Sequence, residues 1–257
     1  MERITSGIDG FDSVIRGGYP KSAATLVTGP VGEEKNLVCV QFLKSALENN
    51  GAVLIVLSSI SPLEFKSRME NLAIDVEKYV QEGKLKIVDC YSWRIKQVSE
   101  GVLEEEEIFL VNRSLSNIGM GFSQAIKSLS NFEIVVAYIE LLSPLLKYED
   151  EKKVYEFTQV IIGRLKNSSI TSIFTLEKDM QDKTIETALE QLFDGVIEIE
   201  ITKKRDNGDI RIERKIGVIK MPDVFETEFL NINMTSSGLH ILKKGGLPVK
   251  NILDRMR

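Results

Sequence analysis

The chain has little cysteine, little histidine and no long apolar run, and each shortage excludes a class of protein. Cys39 and Cys90 are the two cysteines. They are too few and too far apart for a disulfide framework or a cysteine metal site, and read as buried thiols of a reducing cytosol. His240 is the single histidine, so a multi-histidine metal centre is excluded and the residue reads as surface or structural. Met1 to Ile15 lacks the apolar stretch of a signal peptide. The most apolar segment, Ile134 to Leu146, is interrupted by Glu140 and too short to span a bilayer, so a cytoplasmic location is expected and no membrane partner. There is no excess of positive charge either: 33 Lys and Arg stand against 38 Asp and Glu, for a formal net charge of -5. Such a surface offers nucleic acid no general attraction, and a nucleic-acid partner is not expected. Aromatic residues are sparse, with one tryptophan, so Tyr91, Trp93 and Arg94 read as packing residues rather than a base-stacking patch.

The balance that remains is 43% hydrophobic and 28% charged residues over 257 positions, the composition of an ordinary globular chain. One domain covering 1–257 is expected. Ala24 to Thr28 is a β-prone run that meets Gly29, and after Lys35 the apolar residues Cys39, Phe42, Leu43, Ala46 and Leu47 recur at helical spacing. A buried strand follows at Val53 to Leu57. Further strand candidates are Lys84 to Asp89, Ile108 to Val111, Ile134 to Tyr138, Ile170 to Leu176 and Val196 to Ile201, mostly separated by helical segments. In one of these helices Val154, Phe157, Thr158, Ile161, Ile162 and Leu165 form an apolar stripe. The alternation predicts an α/β fold, a doubly wound and mainly parallel sheet with helices on both faces. From 196 to 235 the texture becomes strands alone. Asn207-Gly208 suits a tight hairpin turn between Val196 to Lys203 and Ile210 to Ile219, and Glu226 to Met234 follows, so an antiparallel extension is predicted. The stretch 240–257 is a basic tail with Lys243, Lys244, Lys250, Arg255 and Arg257, ending in a possible short helix.

Several motifs occur in order along residues 3 to 235. They are Thr5-Ser-Gly7-Ile-Asp-Gly10-Phe-Asp12, Gly17-Gly18-Tyr-Pro20, Ile74 to Val80 with Gly83 to Asp89, Leu142-Ser-Pro-Leu-Leu146 with Tyr148, Thr171 to Thr175, and Asp194-Gly-Val-Ile197. In this series the chain resembles the KaiC-like and RadA-like ATPases of the RecA superfamily. The resemblance implies a RecA-like core, ATP at the first strand-helix turn, and assembly into rings or filaments.

A phosphate loop of the form G-x-x-x-x-G-K-[ST] wraps backbone N–H groups round phosphates, sets its lysine on the β and γ groups, and offers a hydroxyl to magnesium. Here the stretch reads Gly29-Pro-Val-Gly32-Glu-Glu-Lys35-Asn36. Gly29 and Lys35 hold their places, while Glu34 replaces the second glycine and Asn36 the hydroxyl. At about 5 Å and an effective dielectric near 20, each carboxylate-phosphate charge pair would repel by about 3 kcal/mol. A Cβ at position 34 also hinders close backbone approach. Two readings stand. The turn is an inherited connection with Glu33 and Glu34 favourably placed at a helix N-terminus, or Gly29, Gly32, Lys35 and Asn36 form a weak or vestigial nucleotide site.

The resemblance also implies water-activating glutamates after the second strand, where Ser58-Ser59 stands instead; these serines read as cap or turn residues. At the position of the metal-orienting aspartate is Glu140, a candidate magnesium ligand. No catalytic residue is assigned, no cofactor is expected, and ATP with magnesium would bind weakly at best. The acidic run Glu104 to Glu107 reads as a solvated loop, and Glu177 to Gln191, where recombinase DNA loops would fall, carries acids and few aromatics. Phe193, Phe225, Phe229 and the basic tail are candidates for a partner surface. The resulting expectation is a non-hydrolysing paralogue acting as a regulatory or scaffold protein, with itself or with active relatives as partner. The alternatives are an ATP-binding or ATP-hydrolysing switch with a divergent loop, and a DNA repair accessory.

Overall fold

The computed structural model describes residues 1–206, 209–225 and 228–242. Its first half comprises β1 (Arg3–Ile4), α1 (Phe11–Val14), β2 (Tyr19–Pro20), β3 (Ala24–Gly29), α2 (Glu34–Glu48), β4 (Ala52–Leu57), α3 (Pro62–Asn71), α4 (Val76–Gln81), β5 (Leu85–Asp89), β6 (Val102–Glu105), β7 (Ile108–Val111) and α5 (Leu115–Ser128). The second half comprises β8 (Val135–Glu140), α6 (Leu142–Leu146), α7 (Glu151–Asn167), β9 (Thr171–Glu177), α8 (Lys183–Leu192), β10 (Gly195–Asp206), β11 (Asp209–Lys220), β12 (Leu230–Thr235) and β13 (Gly238–Ile241). Helices begin where side chains can satisfy their free amides. Ser61 caps α3 with Pro62 in its first turn, and Asp75, Asp150 and Asp182 cap α4, α7 and α8.

The main sheet has the order β13-β12-β11-β10-β3-β9-β8-β4-β5-β7-β6. Strands β10, β3, β9, β8, β4, β5 and β7 run parallel, with β11 to β13 antiparallel at one end and β6 at the other. Every residue of β3 and β4 is buried, because helices cover both faces. Val38, Phe42 and Leu43 of α2 pack with Phe65 and Met69 of α3 on one face. Ile118 and Phe122 of α5 pack with Ile161 and Leu165 of α7 on the other. The doubly wound, mainly parallel sheet and its antiparallel C-terminal extension are thus as the sequence pattern implies.

Three expectations need correction, and two fall outside the described residues. Glu104 to Glu107 is a solvated loop only in part: Glu104, Glu105 and Glu106 are exposed, but the first two belong to β6, Glu106 turns the chain at φ 51°, and Glu107 is buried and ion-paired with Lys66. A buried carboxylate needs such a cation, and no local pattern announces a partner 41 positions away. Phe193 is not part of an exposed surface; it is 2% exposed and packs edge-on against Phe174 at 5.0 Å, whereas Phe225 is exposed. The third strand of the extension starts at Leu230 rather than Glu226. Asp206 pairs with Asp209, but the Asn207-Gly208 turn itself and the basic tail from Lys243 lie outside the described residues. Among the described residues no helix is long and apolar enough to cross a membrane.

Both cysteines are buried, and burial pushes the two thiols well above their usual range. Neither should react with a thiol reagent at neutral pH in the folded protein, and both should react in denaturant; native-state labelling counted by mass spectrometry checks this. Phe193→Ala should cost about 3–5 kcal/mol in urea unfolding, and Phe225→Ala within about 0.5 kcal/mol.

Candidate functional site

Strand β3 lies between β10 and β9, both parallel to it, so its turn opens at the carboxyl ends of the strands, where open α/β sheets receive ligands. Glycine is required at 29 by close approach. A Cβ there would sit 2.8 Å from the Ile199 carbonyl oxygen and 2.9 Å from the Ile199 Cβ.

Lys35, in the first turn of α2, is 3% exposed. Its ammonium pairs with Glu177 Oε2 at 2.7 Å and donates to the carbonyls of Pro30 and Gly29, the latter at 3.4 Å. Glu177 ends β9, and its backbone N–H donates to Ser143 Oγ of α6 at 2.8 Å, which holds the strand end beside the loop. Asn36 is engaged at both ends of its amide: Oδ1 accepts the Tyr138 hydroxyl at 3.0 Å and Nδ2 donates to Glu33 Oε2 at 3.4 Å. The Asn36 carbonyl that could assist a magnesium ion is therefore already in use.

Glu34 does not turn its carboxylate to solvent. The residue is 4% exposed, Oε1 accepts from Arg214 Nε of β11 at 2.6 Å, and Oε2 lies where a Cβ on Gly32 would collide with it. In this arrangement the lysine of the loop is paired internally and a carboxylate lies over Gly32.

Glu140, at the end of β8, aligns with Leu57 of β4. Ser58 and Ser59 follow β4 as bend residues. The Glu140 oxygen Oε2 is buried with no hydrogen-bond partner. Glu140, Ser59, Ser143, Thr175 and Glu177 line a cavity of roughly 180 Å³ beside the loop. Among the described residues no cluster of three or more His, Cys, Asp or Glu side chains could hold a metal ion.

The remaining candidates lie elsewhere. His240 hydrogen-bonds Thr235 Oγ1 at 3.1 Å and Ser237 Oγ at 3.0 Å, tying together the hairpin of β12 and β13. Arg94 stacks on Trp93 at 5.0 Å. Sequence reasoning did not single out Glu177, Arg214 or the Tyr138 hydroxyl. Glu177 had one signal, a carboxylate immediately after a strand candidate; Arg214 had none, because its place depends on the pairing of β10 with β11.

Burial pushes the Glu140 carboxyl above the usual glutamate range, and the serine donors offset part of that rise. The folded state therefore favours the protonated carboxyl. Its contribution to stability is present at low pH and lost as pH rises through the raised value. Glu140→Gln should be more stable than the parent at neutral pH, with the difference shrinking below the usual glutamate range. Urea midpoints of both proteins across pH check the sign.

Comparison with known proteins agrees with this architecture. The chain is 26% identical over 231 residues to a UPF0273 protein of Methanocaldococcus jannaschii, covering 86% of this chain and 88% of that one. It is 26% identical over 182 residues to the circadian clock oscillator protein KaiC of Prochlorococcus marinus, covering 69% of this chain and 33% of KaiC. The crystal structure of a KaiC-like protein from Pyrococcus horikoshii superposes with a TM-score of 0.73 at 23% identity, covering 94% of this chain and 99% of that one, a likeness of fold. The sequence model of the KaiC ATPase matches residues 4–246, nearly the whole chain with its phosphate loop, and the chain therefore belongs to the KaiC ATPase family.

Proposed function

We propose that this KaiC-family protein does not hydrolyse ATP and acts as a regulatory or scaffold protein through association with a second copy or with an active relative. The observation that carries the reading is the state of Lys35, a buried ammonium held by Glu177 and two loop carbonyls. A triphosphate would have to displace a charge-assisted contact of about the kind it offers in return. Two further features point the same way. The residues that follow β4 are Ser58 and Ser59, so the end of that strand supplies no carboxylate to activate water. Val31 on the loop, Leu63 at the start of α3 and Met180 after β9 are exposed apolar side chains at the carboxyl ends of the strands. Val31 and Met180 line the same cavity, and grouped apolar exposure of this kind suits a protein contact.

A second reading, an ATP-binding switch, is favoured by that cavity, since Glu177 and Glu140 stand on it beside Lys35. Calorimetric titration with ATP and magnesium, with phosphate release measured in parallel, separates the two. The expected result is no binding at micromolar nucleotide and no release above background. Micromolar binding with turnover that Lys35→Ala abolishes would replace the first reading by the second.

A further inference from the structure

We propose that the outer face of helices α5 and α7 is a two-fold docking surface, and that its occupant is the same face of a second copy of this chain. The inference goes beyond the reading above and uses a different surface, so its outcome is independent of the nucleotide titration.

Helices α5 and α7 each bury one side against the sheet, through Ile118 and Phe122 and through Ile161 and Leu165. Between their outer sides runs a groove of roughly 620 Å³, with Leu115, Gly119, Met120, Phe157 and Val160 in its lining. Met120 is 44% exposed and Val160 50%. Apolar side chains left in water side by side on two helices mark a contact surface, and the charges round them say which contact. Arg164 spans the groove: its Nη1 donates to the Gly119 carbonyl of α5 at 3.0 Å and to Ser123 Oγ at 3.2 Å. The guanidinium is therefore fixed before any partner arrives, which lowers the entropy cost of using it. Glu156, on the same side of α7, is exposed and has no ion partner among the described residues.

Glu156, Val160 and Arg164 are spaced by four along α7 and so form one row of its surface, negative, apolar and positive in turn. Rows of this spacing are the ridges by which helices most often pack, crossing at about -50°. A two-fold axis through Val160 lays the row antiparallel on its own copy. Val160 then meets the partner's Val160, Glu156 meets the partner's Arg164, and Arg164 meets the partner's Glu156. The same axis sets Phe157 against the partner's Gly163, a position where a Cβ would meet nothing within 4 Å and a ring has room. Lys153, which also lines the groove, comes opposite the partner's Asn167, so no like charges are opposed. The row is complementary to its own reverse, which is what selects a second copy as the occupant. Such a contact is isologous and closes at two copies, unlike the head-to-tail contact of a ring or filament.

Sedimentation of the full chain at about 100 μM tests the inference, with a reversible dimer expected. Glu156→Arg and Arg164→Glu should each weaken the dimer by about tenfold or more, since each opposes like charges twice across the axis. An equal mixture of the two variants should recover it, because both pairs across the axis are again of opposite sign. Arg164→Glu also gives up the bonds to Gly119 and Ser123, so a second measurement leaves them in place. Under oxidation Val160→Cys should form a disulfide between copies about tenfold faster than Gln159→Cys, one position off the row. A parent that stays monomeric at this concentration overturns the inference, even where it pairs with a KaiC-family relative. A dimer that both variants leave intact, or folded variants whose mixture stays monomeric, also overturns it. So does a larger assembly in which Val160→Cys forms no disulfide.

Discussion

A lysine ammonium taken out of water must find negative partners within hydrogen-bond reach, since the cost of an unpaired buried charge exceeds what most single contacts supply. Lys35, 3% exposed, places that demand at the glycine-bearing strand-helix turn of phosphate-loop form. Glu177 and the carbonyls of Gly29 and Pro30 meet it. The arrangement depends in turn on the strand order, because only a β9 laid directly beside β3 brings Glu177 to the loop; Gly29 and Glu177 are register partners.

The surrounding sheet explains why such charges can be buried at all. Strands β3 and β4 are covered on both faces, so their polar functions can emerge only at the carboxyl ends, and there Ser58, Ser59, Glu140, Ser143 and Glu177 gather. Glu140 keeps one buried carboxylate oxygen without a hydrogen-bond partner there. Membership of the KaiC ATPase family is carried by the fold and by the motif order, while the chemistry of the turn belongs to this chain's own choice of Glu34, Asn36, Ser58 and Ser59. A fold is held by its core and an activity by a few side chains at strand ends.

Much of this could be read from the linear sequence. The alternation of aliphatic runs with helical stripes implied the parallel sheet and its antiparallel extension, because burial on both faces leaves a continuous apolar signature. The phosphate-loop positions were visible because their spacing is local: Gly29, Gly32, Lys35 and Asn36 lie within eight residues. The errors share a cause. Glu107 looked solvated inside an acidic run, and Phe193 looked available among scattered aromatics, because burial is decided by elements distant in sequence, Lys66 for the one and Phe174 for the other.

By itself, then, the sequence determined the class of fold, the place of the glycine turn and the substitutions within it, since all of these follow from periodicity and near-neighbour spacing. Only the tertiary structure decided where the charges go: that Glu34 turns inward to Arg214, 180 positions away, and that Lys35 is held by Glu177. Coulomb and hydrogen-bond partners act over a few ångströms, and the chain distances they join are set by strand order and register, which no local pattern encodes.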